Sequence, residues 1–236
     1  IELFDLYIKK NEEELQSILK TKTKKESSKL NDIEISYYIM KNVKKIPNDL
    51  FNNTKILKIA IPPNIKYIGN QVISNCNSLT HVSIPSSVTS IESYAFHQCV
   101  SLVQVMIPSS VISIGKKAFK RCRMLKKIKI SSPIITIGES AFESCYSLDQ
   151  FMILSCEASI GQYALNGCFS LREILISSST IIIGEHAFGD CILEQMIIPA
   201  SLNIIKEGEN NEQITILSSI ISIGNFAFSH CMRMNK

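Results

Sequence analysis

The sequence predicts an α/β repeat protein, a solenoid whose parallel strands make one face and whose other side carries short turns or 3₁₀ segments, closed at its N-terminus by a small helical cap. Three observations predict it. Cys76, Cys99, Cys122, Cys145, Cys168 and Cys191 stand 23 residues apart. One text recurs around them, as LTHVSIPSSVTSIESYAFHQC from Leu79 to Cys99 and LVQVMIPSSVISIGKKAFKRC from Leu102 to Cys122. Within that text apolar and polar residues alternate ahead of a proline, the period of a short strand. Self-similarity at such a period marks stacked repeats, in which each unit buries its core only against its neighbours.

Residues 1–30 read as the cap and a linker. Leu3, Phe4, Tyr7 and Ile8, then Leu15, Ile18 and Leu19, recur at helical spacing, with Asn11 and Glu14 placed as N-cap and capping-box partner. A pair of short helices covering the open end of the stack is the expectation, with a partner-binding amphipathic helix as the alternative. Lys22 to Lys29, KTKKESSK, is the predicted linker.

Residues 31–236 divide into about nine rungs, some partial. In each, the LxxIxI segment turns alternate residues inward, as with Val82 and Ile84 or Ile174 and Ile176. Pro62, Pro85, Pro108 and Pro199 follow directly and lack an amide donor, so they end the strand. A second apolar pair such as Val111 and Ile114 points inward again. Gly69, Gly115, Gly138, Gly161, Gly184 and Gly224 then mark positive φ or a close backbone approach. The AFxxC segment predicts one helical or 3₁₀ turn that buries Phe and Cys. The rung starting near Leu193 lacks that segment, which predicts an interruption of the Phe and Cys ladder with a bulge or break in curvature near Glu207 to Gln213.

The consensus LxxIxIPxSVxxIGxxAFxxC resembles the BspA-like class of leucine-rich repeat proteins, over roughly Ile33 to Cys231. The resemblance implies a curved leucine-rich-repeat solenoid and a role in adhesion or protein interaction, often on cell surfaces, and does not imply an enzyme; no cofactor is expected.

Composition narrows the remaining classes. Hydrophobic residues make up 45% and support an ordered core, while a formal net charge of +4 gives no argument for nucleic acid or an anionic membrane. Polar residues break every apolar run before the roughly 18 to 20 positions that a spanning helix requires. The opening IELFDLYIKKNEEE shows no basic stretch leading into an apolar one, so no signal peptide is visible. The ladder cysteines lack a CxxC pair, and parallel rungs point their side chains the same way; buried reduced thiols are expected rather than zinc ligands or disulfides. Such a ladder favours the cytoplasm over the cell surface. Cys156 stands outside the ladder and is expected to be exposed and reactive, while Glu157 puts a charge in the normally buried slot of Val88, Val111 or Ile134; a local loosening of the turn is the expectation, with a contact or redox site as the alternative. None of His81, His97, His186 and His230 has an acid and a nucleophile at a repeatable spacing, and no phosphate loop, nucleophile elbow or metal-helix motif is present.

Two candidate surfaces emerge. The exposed strand positions are His81, Ser83, Gln104, Met106, Lys127, Lys129, Gln150, Met152, Glu173, Leu175, Gln195 and Ile197, of which Met106, Met152, Leu175 and Ile197 make an apolar stripe. A basic run, Lys116, Lys117, Lys120, Arg121, Arg123 and Lys126 with Lys127 and Lys129, is either a solvated surface or a site for an acidic protein; without interleaved aromatics it argues against nucleic acid. The expected function is non-catalytic binding of a partner protein through the strand face. The alternatives are an intracellular regulatory or inhibitory subunit of a signalling enzyme such as a protein phosphatase, and a cell-surface adhesin.

Overall fold

A computed structural model describes residues 35–36, 44–46, 48–177, 180–193, 195–197 and 219–231. The N-terminal helical pair and its linker lie outside the described residues. Two short strands recur in every rung: β1 (Ile35–Ser36) and β2 (Lys45–Ile46), β3 (Lys58–Ala60) and β4 (Tyr67–Ile68), β5 (His81–Ser83) and β6 (Ser90–Ile91), β7 (Gln104–Val105) and β8 (Ser113–Ile114). The series continues with β9 (Lys127–Ile130) and β10 (Ile134–Ile137), β11 (Gln150–Leu154) and β12 (Glu157–Ile160), β13 (Glu173–Ser177) and β14 (Thr180–Ile183), β15 (Gln195–Ile197) and β16 (Ser219–Ile223). Odd-numbered strands form one eight-stranded parallel sheet and even-numbered strands a second.

The architecture is therefore a parallel β-solenoid with two sheets rather than one strand face, and the described residues contain no helix. The second sheet arises because the SxxIG segment also alternates inward and outward residues. Register follows the repeat, pairing Gln150 with Glu173 and Ile137 with Ile160. Each fully buried Ile or Phe removed from water contributes about 2 to 3 kcal/mol. The interior is a continuous column of such residues, from Ile46 to Ala227.

The AFxxC segment is a run of turns and not the expected helical or 3₁₀ turn, for a reason visible in its hydrogen bonds. Tyr94, Phe96 and Gln98 donate their amides across to Lys116, Ala118 and Lys120 of the next rung at 2.9, 2.7 and 2.8 Å. Ala95, His97 and Cys99 donate back along the chain to Glu92, Tyr94 and Phe96. A helix would direct every amide along the chain; here alternate amides tie the rungs together. Two residues per rung adopt left-handed backbone for this, among them Tyr94 and Gln98, then Lys117 (φ 55°) and Arg121 (φ 62°). The repeat glycines serve close approach instead of positive φ. A Cβ on Gly115 would lie 2.6 Å from Ser93 N, so only hydrogen fits between the rungs.

Two ladders fill the turn side. Phe96, Phe119 and Phe142 stack face to face at 5.0 and 5.2 Å. Cys76, Cys99, Cys122, Cys145, Cys168 and Cys191 are buried and unbridged. Each thiol from Cys122 to Cys168 donates to the carbonyl of Phe96, Phe119 or Phe142, 26 residues earlier, at 3.2 Å. Burial pushes the thiols of Cys99, Cys122, Cys145 and Cys191 well up, and that of Cys168 up to about 12, so they stay protonated donors.

Two further expectations are corrected. Glu157 is exposed and leaves no charge in the core. Up to β8 the buried residue is Val88 or Val111; from β10 onward the second strand is longer, and Ile135, Ala158 and Ile181, one place later, take the inward slot. Ile134 is 52% exposed for the same reason. The Phe and Cys ladder is not interrupted either. Phe228 stacks on Phe188 and the Cys231 thiol donates to the Phe188 carbonyl across 43 residues, so the ladder continues in the rung of β15 and β16, with the extra residues between those two strands; the bulge or break in curvature expected near Glu207 to Gln213 lies outside the described residues. A register shift between Ile181 and Ile182, where β16 meets β14, marks the re-entry.

Candidate functional site

The outer face of the first sheet gathers the predicted strand residues into two rows. Inward Val82, Ile128, Phe151 and Ile174 anchor the strands and leave their neighbours pointing out. In the first row Lys58, His81, Gln104, Lys127, Gln150, Glu173 and Gln195 stand in register. Gln150 Nε2 donates to Glu173 Oε2 at 2.8 Å within it, and His81 Nδ1 lies 2.9 Å from Thr80 Oγ1. In the second row Lys129, Met152, Leu175 and Ile197 stand in register. Ser83 and Met106 precede them at the repeat spacing, and Met106 is 74% exposed. Lys129 thus divides the apolar stripe, leaving Met106 on one side and Met152 with Leu175, both half-buried, on the other. The side chains of Gln195 and Ile197 lie outside the described residues.

The basic residues separate as well. Lys116, Lys117, Lys120 and Arg121 stand on the turn segment, Arg123 on the corner after it, and Lys126, Lys127 and Lys129 at or in β9. Lys116 and Lys120 bind Glu139 and Glu143 of the next rung at 2.8 and 2.7 Å. The Glu139 carboxylate beside Lys116 is held below the usual range, and the exposed Lys116 ammonium is raised by the same bond. Lys117 Nζ sits 5.6 Å from the Tyr94 ring centroid and Arg123 Cζ 5.5 Å from that of Tyr146.

Sequence reasoning missed two features. Tyr146 and Phe169, 37% and 51% exposed, stack at 5.3 Å on the corner that follows the ladder cysteines. The signal was the position after each cysteine, which reads Arg123, Tyr146, Phe169 at the repeat period. The second feature is the direct pairing of β16 with β14, which brings Ser229 Oγ within 3.0 Å of His186 Nδ1. Glu185 Oε1 is 3.8 Å from His186 Nε2, beyond hydrogen-bond distance, and the Ser229 amide is committed to Phe226 O. The trio is a bonded stack, with the His186 ring between Tyr163 and Phe226 at 5.0 and 5.3 Å. Among the described residues no group of three or more His, Cys, Asp or Glu could hold a metal ion, and no helix is long and apolar enough to cross a membrane.

A family model for the BspA type leucine rich repeat region matches in six copies, over residues 15–112, 89–211 and 207–236. Among solved structures, a leucine rich cell surface protein from Faecalibacterium prausnitzii A2-165 is 27% identical with a TM-score of 0.63, covering 87% of this chain and 54% of that one. The T. pallidum leucine rich repeat protein is 24% identical with a TM-score of 0.56, covering 60% of this chain and 67% of that one. A leucine-rich repeat protein from Eubacterium ventriosum ATCC 27560 is 20% identical with a TM-score of 0.63, covering 83% and 48%. The T. pallidum and E. ventriosum likenesses concern the fold alone. This chain spans about half the length of the F. prausnitzii and E. ventriosum proteins. No curated protein matches it.

Proposed function

The chain belongs to the BspA-type leucine-rich repeat family, and from that premise we propose that it is a non-catalytic protein-interaction module whose partner docks on the outer face of the first sheet. The observation that carries this reading is the register-locked pair of rows there. Strand pairing fixes the spacing of Lys127, Gln150 and Glu173 beside Lys129, Met152 and Leu175. The backbone beneath these rows is already ordered, so covering them costs side-chain freedom but little backbone freedom, which favours affinity. Because their side chains point away from the core, they also vary without cost to the stack.

The test is a pull-down from the native source with the intact chain, beside a variant carrying Met106→Ser, Met152→Ser, Leu175→Ser and Ile197→Ser. A partner held by the intact chain and lost by the variant supports the strand face. Equal retention by both removes it.

A cell-surface role is a second reading, favoured by the F. prausnitzii protein that is named as a leucine rich cell surface protein. Labelling of the chain on intact cells of the native source tests it, and labelling only after permeabilisation overturns it.

A further inference from the structure

The rung of β7 and β8 carries a second surface, built differently from the strand rows. Its turn segment holds Lys116, Lys117, Lys120 and Arg121, and the corner after it holds Arg123. Against these five cations the next rung sets two carboxylates, Glu139 and Glu143, already bound by Lys116 and Lys120. Lys117 and Arg123 rest on the rings of Tyr94 and Tyr146, and a ring face attracts a cation without cancelling its charge. The positive potential is felt on the rung below. His97, half-buried with its ring 5.4 Å from that of Tyr94, is held below the ordinary imidazole value by burial and then by Arg121, Lys120 and Lys117, with Glu143 opposing. Beside the cations the corner exposes carbon: Met124 is 49% exposed, and Phe169 lies stacked on Tyr146.

We propose that this corner is a second protein-binding surface, taking an acidic segment of a partner protein that carries apolar side chains beside its carboxylates. Lys117, Arg121 and Arg123 bind the carboxylates, and Met124 and Phe169 receive the apolar side chains. Nucleic acid stacks successive bases on a row of open rings, but Arg123 and Phe169 cover the faces of Tyr146 and Lys117 covers Tyr94, which leaves Phe169 as a single open ring at this corner. A sulfated polysaccharide would satisfy the cations and leave Met124 and Phe169 in water. A peptide supplies both chemistries. The proposal does not depend on the strand-face reading, whose residues lie on another side of the rung.

The test uses the full chain and labelled synthetic peptides, one alternating glutamate and leucine and one of glutamate alone, with a heparin oligosaccharide and inorganic phosphate as competitors. The variant is Lys117→Gln with Arg121→Gln. Gln71 and Gln98 already hold the equivalent left-handed positions in lower rungs, at φ 53° and 58°, so the backbone accepts glutamine there. A second variant is Tyr146→Ser with Phe169→Ser. The glutamate and leucine peptide is expected to bind about tenfold more weakly to the glutamine variant, and more weakly to the serine variant than to the intact chain. Its binding should also raise the His97 titration followed by NMR. Unchanged binding by the glutamine variant overturns the proposal. Heparin binding that matches the peptide and ignores the serine variant would assign the corner to a sulfated glycan instead. Competition by phosphate alone at the peptide's own concentration would reduce it to a simple anion site.

Discussion

Phe228 lies on Phe188 with ring centroids 5.3 Å apart and planes 4° apart, the same arrangement that joins Phe96 to Phe119. The chain between them is longer than one repeat: the Cys231 bond to Phe188 spans 43 residues where the other ladder bonds span 26. The stack closes across the inserted segment because burying a phenyl ring contributes about 2 to 3 kcal/mol, whereas lengthening the connection from three residues to the 21 between β15 and β16 costs only about 1.7 kcal/mol, at about 0.6 kcal/mol per doubling.

Replacing residues 198–218 with a short turn copied from Ser131-Ser132-Pro133, which joins β9 to β10, should therefore leave the fold intact. Thermal unfolding is expected to stay cooperative with a midpoint within a few degrees of the intact chain. A loss of cooperativity would show that the excised segment is part of the ladder.

The thiol ladder makes stability fall at alkaline pH. In the unfolded chain the thiols titrate near the ordinary value of 9.0, while in the fold Cys168 is pushed up to about 12 and Cys99, Cys122, Cys145 and Cys191 are also raised. A raised folded value means the contribution is complete below pH 9 and is lost as pH climbs from 9 toward 12, because only the unfolded chain then sheds protons. Urea unfolding at pH 7 and at pH 10.5 should show the drop, and Cys145→Ala with Cys168→Ala should reduce its size.

The left-handed positions give a test of opposite signs at one residue. Ser144 holds φ 61°, and in the next rung Gly167 holds φ 69° at the same place. Ser144→Gly is expected to stabilise by about 0.5 to 1 kcal/mol, while Ser144→Val, β-branched at positive φ, should cost about 1 to 2 kcal/mol. Denaturant titration of both reads the difference directly.

The repeat glycine responds the other way. A Cβ at position 115 would meet Ser93 N at 2.6 Å and the Glu92 carbonyl carbon at 2.7 Å, both backbone atoms of a paired rung. Gly115→Ala should cost about 2 to 3 kcal/mol through rung separation, against near neutrality for an exposed alanine such as that in Lys126→Ala. Equal midpoints for the two would show that the rungs are free to shift.

Much of this was legible in the sequence because the period is exposed in plain text. Cysteine spacing placed the ladder, and alternation placed Val82, Ile128 and Ile174 inside with Gln104, Lys127 and Glu173 outside. The turn side was misread because AFxxC satisfies a helical pattern as well as a turn, and only the amides of Tyr94, Phe96 and Gln98, bonded to another rung, decide between them. Glu157 was misread because extending β12 shifts the inward slot by one residue, and a period of two turns that single step into a change of face.

The sequence by itself determined the stacked repeat, its inward residues and the strand rows, since each follows from spacing along one rung. Only the tertiary structure decided which residues meet between rungs. It closed Phe228 onto Phe188, set Arg123 over Tyr146 with Phe169 on the far face, and gathered the cations of one rung against two carboxylates of the next. The physical reason is that those contacts run along the stack, perpendicular to the chain. Their partners are set by how the rungs pair and by which segment the ladder leaves out.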